Sequence, residues 1–230
     1  MDNKKVYSLI NQVERLKRGK ATRFLDLGEV RKLELMLKKD EYKVYYPYPD
    51  CEKIIVYSRE IPEVSIIKIN CNEELEHREI MGSLYGLNVN SEYWGDIIKY
   101  DSNYYVVVLK ELEEFIINNL FMIGNKYVEL ERLNIQDINY VREYVKENII
   151  VSSLRIDNVI AKITNSSRKM VKEKIQNKEV ILNFEMLKNS NYYLNDGDVF
   201  SIRRYGKYKF KGIVKMTKKQ NYVIEYWKYI

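Results

Sequence analysis

Three cations stand at the start of one short helical pattern. Arg168, Lys169 and Lys172 follow Ser166-Ser167, and Val171 and Ile175 recur four apart on the opposite side. Ser and Asn oxygens accept the orphan N–H groups of a first helical turn, so Asn165-Ser166-Ser167 reads as a cap and Arg168–Gln176 as its helix. Open amides, the positive end of a helix dipole and flanking cations together form an anion site, and phosphate is the ligand that suits it. Upstream, Ser153-Leu154-Arg155-Ile156-Asp157 opens a second helical pattern, with Ile156, Val159, Ile160 and Ile163 on one face. A bare carboxylate would repel phosphate, so Asp157 is expected to position a neighbouring arginine.

Other residues with chemical potential lack the company that chemistry needs. Cys51 and Cys71 have no metal-ligand spacing, and the one histidine, His77, cannot complete a zinc set. His77 has no nucleophile beside it and lies at an expected helix start flanked by Arg78 and Glu79. Hydrogen bonding there is a simpler role than catalysis, and His77 and Arg78 remain candidates for a secondary RNA contact. Gly82 and Gly86 form no phosphate loop, since neither a Gly-x-Gly-x-x-Gly nor a Gly-Lys-Ser/Thr pattern occurs. Lys215-Met216-Thr217-Lys218-Lys219 loosely echoes the ATP loop of tyrosyl-tRNA synthetases, but its position and the lack of His-x-Gly-His point to a basic hairpin turn. No catalytic, metal or cofactor site is expected.

The chain has 230 residues, 46% of them hydrophobic and 31% charged, which describes a soluble globular protein. Its net charge of +6 is unevenly spread. Residues 151–230 hold 17 Lys+Arg against 7 Asp+Glu, a net of +10, and the first 150 hold 22 against 26, a net of −4. A basic segment on an acidic chain is an electrostatic footprint for a phosphate polymer, because each cation near the backbone releases a condensed counterion. Charge alone leaves open a solvated basic face that binds nothing, or an anionic membrane surface. Met1–Leu9 alternates polar and apolar residues, unlike a signal peptide, and no apolar run reaches the length of a membrane span. A reduced, cytoplasmic, monomeric protein is the expectation.

The elements that must position these residues fall into three small α+β domains. The first, 1–72, has helices over Lys4–Arg18, ended by Gly19, and after Asp26, then strands over Tyr42–Tyr48, Lys53–Ser58 and Val64–Asn70. The second, 73–150, has helices over Glu73–Leu87 and Leu112–Ile123, the latter ended by Gly124. Its strands are Asp96–Tyr100, Tyr104–Leu109, Lys126–Glu131 and Arg142–Ser152, with Asp101-Ser102-Asn103 as a hairpin turn. That order is ferredoxin-like or RRM-like. The aromatic pattern with which an RRM sheet stacks bases is missing, so Tyr104 and Tyr105 read as packing residues. In the third, 151–230, the two helices precede strands over Val180–Phe184 and Val199–Arg204, with a turn at Asn195-Asp196-Gly197-Asp198.

This third segment resembles the S4 RNA-binding domain, whose pattern runs Arg-Leu-Asp, Ser-Arg, Val-x-Val-Asn and Gly-Asp. Here these read Arg155-Ile156-Asp157, Ser167-Arg168, Val180-Ile181-Leu182-Asn183 and Gly197-Asp198, in order. The resemblance implies that Arg155, Ser166, Ser167, Arg168, Lys169, Lys172 and Lys178 face RNA, with Asp157 and Asn183 positioning the site. Arg203, Arg204, Lys207 and Lys209 continue that surface, although an ordinary sheet edge protected by lysines would look the same. The family's glycine before the strand is replaced here by Lys178, so either Asn177 takes a left-handed conformation or the turn is rebuilt. Its glycine after the strand Asn is Phe184.

His77-Arg78-Glu79-Ile80-Met81-Gly82-Ser83-Leu84, Gly86-Leu87, Gly95-Asp96-Ile97, Val151–Arg155 and Arg203–Lys209 extend the likeness to the YlmH family, over roughly Glu76 to Phe210. That resemblance implies a three-domain, non-catalytic factor of ribosome-associated quality control. It would bind large-subunit ribosomal RNA and peptidyl-tRNA, with other quality-control proteins as possible partners of the first 150 residues. Two other classes stay open: an RNA-modifying enzyme using the S4 domain as a handle, and a cell-division-linked interaction scaffold. Against the former, the Arg-x-Asp triplet of a pseudouridine synthase is already used by the S4 helix, and no methyltransferase glycine loop occurs.

Overall fold

Leu9, Val13 and Leu16 recur at helical spacing and form the buried side of α1 (Asn3–Lys17), after which Gly19 turns the chain at φ +77°. The computed structural model describes residues 3–38, 40–137, 140 and 142–230; the expected signal-free start at Met1 and Asp2 lies outside them. The chain divides into two compact units, Met1–Arg142 and Glu143–Ile230.

In the first unit β1 (Leu25–Asp26) runs into α2 (Leu27–Glu34) through a capping box. The Glu29 amide donates to Asp26 at 2.8 Å, and the Asp26 amide donates to Glu29 at 2.9 Å. β2 (Lys43–Tyr45) and β3 (Lys53–Tyr57) complete a small sheet of order β1-β3-β2. β4 (Val64–Asn70) departs from expectation. It does not close this domain but pairs antiparallel with two strands of the next sheet. The reason lies in its side chains: Ile66 packs into the N-terminal core, and Ile67 and Ile69 pack into the core beneath the following helices. A strand apolar on both faces belongs in the middle of a covered sheet.

From β4 the chain runs through α3 (His77–Gly86), β5 (Trp94–Tyr100), β6 (Asn103–Leu109), α4 (Lys110–Asn119), the hairpin β7 (Met122–Ile123) and β8 (Lys126–Tyr127), and β9 (Glu129–Leu133). The sheet order β5-β6-β4-β9 and this succession make a split β-α-β unit that takes in β4. Asp101 and Ser102, at φ +49° and +60°, form the tight turn between β5 and β6. α4 stops at Asn119, earlier than expected, where the Asn119 amide side chain donates to the Phe115 carbonyl. Gly124 instead turns the β7–β8 hairpin.

Alternation along β6 places Tyr104, Val106 and Val108 in the core under α3 and α4, and Tyr105, Val107 and Leu109 in the core shared with α1, α2 and β3. Both tyrosines are buried packing residues. The sheet face with which an RRM reads RNA is therefore covered by the N-terminal layer. Burial raises the Cys51 thiol to about 12, so it is inert near neutral pH.

The second unit begins with β10 (Tyr144–Val151), which was expected in the middle domain but pairs along its whole length with β15 (Tyr222–Tyr229). Between them lie α5 (Ile156–Ile163), α6 (Arg168–Gln176), β11 (Val180–Leu182), β12 (Glu185–Met186), β13 (Val199–Ile202) and β14 (Gly206–Met216). The antiparallel sheet runs β10-β15-β14-β13-β11-β12. Ile156, Val159 and Ile160 of α5 and Val171 and Ile175 of α6 pack against Phe200, Phe210 and Ile224 of its inner face. Each such buried side chain contributes about 1.5–3 kcal/mol, enough to hold the helix pair rigidly on the sheet.

Candidate nucleic-acid interface

Asp157 is the centre around which the expected site is built. It sits in the first turn of α5 with no exposed surface. Arg155 Nε and Nη2 donate to its two oxygens at 3.2 and 2.9 Å, and Arg168 Nη2 donates at 2.8 Å. A side chain of α5 thus fixes one arginine from its own start and one from the start of α6. Asp157 therefore positions two arginines where the sequence suggested one. Burial, the strongest influence on its carboxyl, pushes the pKa up, but the hydrogen bonds and charges of Arg155 and Arg168 together outweigh it and hold it below the ordinary value. Two guanidinium groups share one carboxylate, so the cluster keeps a net positive charge facing solvent, with Arg168 about half exposed.

The loop before α6 follows from its capping. Asn165, at φ +49°, ends α5, the Ser166 amide reaches back to the Ala161 carbonyl, and Ser167 Oγ accepts from the Met170 amide. Ser166 Oγ donates to the Thr164 carbonyl at 3.3 Å. Both hydroxyls are engaged in shaping the turn. The amides of Arg168 and Lys169 have no intrahelical acceptor, and Arg168, Lys169 and Lys172 are exposed around them. These cations and amides are the ones that the spacing marked as a candidate anion site.

Lys178, Arg203 and Arg204 gather at the other end of α6. The Lys178 amide donates to Ile175 and the Glu179 amide to Lys174, a Schellman closure, and the Arg203 amide donates to the Glu179 carbonyl at 2.9 Å. Lys178 itself takes the left-handed conformation at φ +60°, whereas Asn177 stays at φ −77°, so neither alternative drawn from the sequence describes the turn. Phe184 likewise stands at φ +67°. Both positions keep the backbone that glycine would favour, with a side chain in its place. Lys178→Gly is expected to raise unfolding stability by about 1 kcal/mol, read from urea denaturation, because it relieves that left-handed strain.

Asn183 joins strands and does not face outward. Its side chain donates to Asp198 at 2.7 Å and accepts from the Val199 amide at 3.0 Å. Asp198, buried, also accepts from the Tyr192 hydroxyl and the Asn195 amide. This knot fixes the loop whose Asn191 side chain accepts a hydrogen bond from Arg155. Sequence reading quoted Gly197-Asp198 without a role and missed Asn191 and Tyr192, for which it holds no local signal.

Lys207 and Lys209 lie elsewhere. They point from the sheet face opposite α5 and α6, where Lys207 stands over the rings of Phe184 and Tyr229 at 5.1 and 5.0 Å. His77 and Arg78 belong to the other compact unit, at the start of α3. Arg78 is tied to Glu76 at 2.6 Å. Desolvation, opposed by Asp96 and Glu52, lowers the His77 pKa, so its imidazole is largely neutral at pH 7 and brings no charge to a phosphate.

No helix among the described residues is long and apolar enough to cross a membrane. Residues 61–137 match the family model described as "Putative RNA-binding domain in YlmH". The ribosome-associated protein quality control protein P2 of Bacillus subtilis (strain 168) is 28% identical over 153 residues. That match spans 66% of this chain and 60% of the relative's length. The solved structure of cell division protein ylmH from Streptococcus pneumoniae is similar at a TM-score of 0.49 and 15% identity, over 59% of this chain and 93% of that one. The family-model match and the Bacillus relative bear out the resemblance to the YlmH family.

Proposed function

We propose that this chain is a non-catalytic, cytoplasmic RNA-binding factor. Its C-terminal unit acts as an S4-type domain that grips large-subunit ribosomal RNA and peptidyl-tRNA in ribosome-associated quality control. One observation carries the reading: a fully buried Asp157 holds Arg155 and Arg168 together at the open start of α6. Guanidinium forks fixed in advance beside free helix amides lose little entropy on meeting phosphate, which suits them to a shaped RNA backbone. Support for the ribosomal setting comes from the Bacillus subtilis relative, whose name is that of a ribosome-associated quality control protein. The acidic first unit, its split β-α-β sheet covered on both faces, would serve protein partners of the same process.

Co-sedimentation with isolated large ribosomal subunits carrying peptidyl-tRNA tests the proposal, with empty large subunits and small subunits as controls. The wild type is expected to pellet with the tRNA-bearing large subunit. A neutralised variant, Arg155→Gln/Asp157→Asn/Arg168→Gln, removes both forks without stranding a buried charge and is expected to stay in the supernatant. Wild-type protein that pellets with none of these particles would overturn the ribosomal reading.

A further inference from the structure

Side chains alternate along a strand, so the six-stranded sheet of the second unit has two faces. α5 and α6 close one of them. The other carries three aromatic rings in contact: Tyr144 of β10 lies 5.1 Å from both Trp227 and Tyr229 of β15. Lysines from the flanking strands surround these rings. Lys146 and Lys211 stand 4.8 and 4.5 Å from the centroid of Trp227, Lys207 stands beside Tyr229, and Lys209 pairs with Trp227 in register. Among the described residues, the strand register puts one carboxylate on this face, Glu225, and it accepts the indole N–H of Trp227 at 2.7 Å. Four lysines against one glutamate make the face strongly cationic.

Rings interleaved with lysines are the surface that unpaired nucleic acid recognises, since every base has a face to stack and every nucleotide a phosphate. Duplex RNA keeps its bases stacked inside and has no use for the rings. An ammonium over a half-exposed ring is held more weakly than a stacked base, so the lysines can exchange the rings for phosphates as bases arrive. We propose that this outer sheet face is a second RNA contact, separate from the Arg155–Arg168 cluster, which takes a single-stranded segment by stacking on Trp227 and Tyr144. The inference rests on the reading of the chain as an RNA-binding factor, but it places the contact on a different face and on a different form of RNA.

The two tryptophans make the test direct, because Trp94 is buried in the other unit and Trp227 is half-exposed. The full chain is titrated with an unstructured RNA of about ten nucleotides, within the usual footprint of such surfaces, while indole emission and RNA anisotropy are followed. Saturable quenching is expected, with no quenching by blunt duplex RNA. Trp227→Leu should abolish the quenching and weaken single-strand binding about ten-fold, and Lys146→Glu/Lys211→Glu should weaken it with the fold intact by circular dichroism. The neutralised Arg155/Asp157/Arg168 variant should still be quenched, so loss of ribosome binding and loss of this contact can be told apart. Absent quenching, or equal quenching by duplex, would overturn the proposal. So would an emission change with anionic lipid vesicles but none with RNA, which would assign the face to a membrane surface.

Discussion

Replacing Arg155 and Arg168 together with alanine is expected to destabilise the C-terminal unit by about 3 kcal/mol at neutral pH, because the buried Asp157 carboxylate is left unpaired. The figure sits at the lower end for breaking a buried ion pair, since both guanidinium groups reach solvent. The sign of the pH dependence should also reverse. In the wild type the Asp157 pKa is held below its unfolded value, so its stabilising contribution is complete above the ordinary carboxylate value of 3.8 and is lost as pH falls through the lowered folded value. In the double variant, burial acts without the arginines and raises the folded pKa. Its folded state then binds the extra proton, and stability falls as pH rises above the ordinary carboxylate value. Urea unfolding of the two proteins from acid to neutral pH, followed by far-UV circular dichroism, checks this. Parallel pH profiles would show that the arginines do not hold the carboxylate. The alanine pair therefore confuses folding with binding, which is why the neutralised triple substitution, which leaves no buried charge unpaired, is the better test of RNA affinity.

Binding to ribosomal RNA is expected to weaken on the order of several hundred-fold when monovalent salt rises from about 50 to about 200 mM, if about five phosphates are neutralised. Arg168, Lys169 and Lys172 at the start of α6 and Arg203 and Arg204 near its end, all exposed, are the cations that would supply such contacts. Equilibrium affinity measured across a salt series gives the slope. A single Arg168→Ala change should make it shallower by about one unit and cost affinity for all RNA sequences alike. A flat series would mean that the interface is not led by phosphate, whatever its location.

Much of this arrangement is legible in local sequence because its causes are local. The caps at Asp26 and Ser167 and the tight turn at Asp101-Ser102 depend on residues within a few positions of one another. Helical spacing in α5 and α6 marked their buried faces, since a helix presents the same stripe to whatever core it meets. Charge asymmetry, too, is a property of the chain and needs no fold.

The sequence by itself determined the helices, the turn chemistry, the basic C-terminal segment and the motif that brings Arg155, Asp157 and Arg168 into one expected site. Only the tertiary structure decided which sheet each strand joins. β9 and β15, the partners of β4 and β10, lie far along the chain, so local pattern could not assign them. Tertiary structure also separated Lys207 and Lys209 from the helix-start cations, because alternation along β14 turns them to the opposite face from Tyr208 and Phe210. It likewise gave Asp157 a second arginine, through the packing of α6 beside α5, and gave Arg155 its hold on Asn191, where the loop before β13 folds back over the start of α5. A side chain's neighbours along the chain decide its conformation, but its partners across the fold decide its charge and its direction.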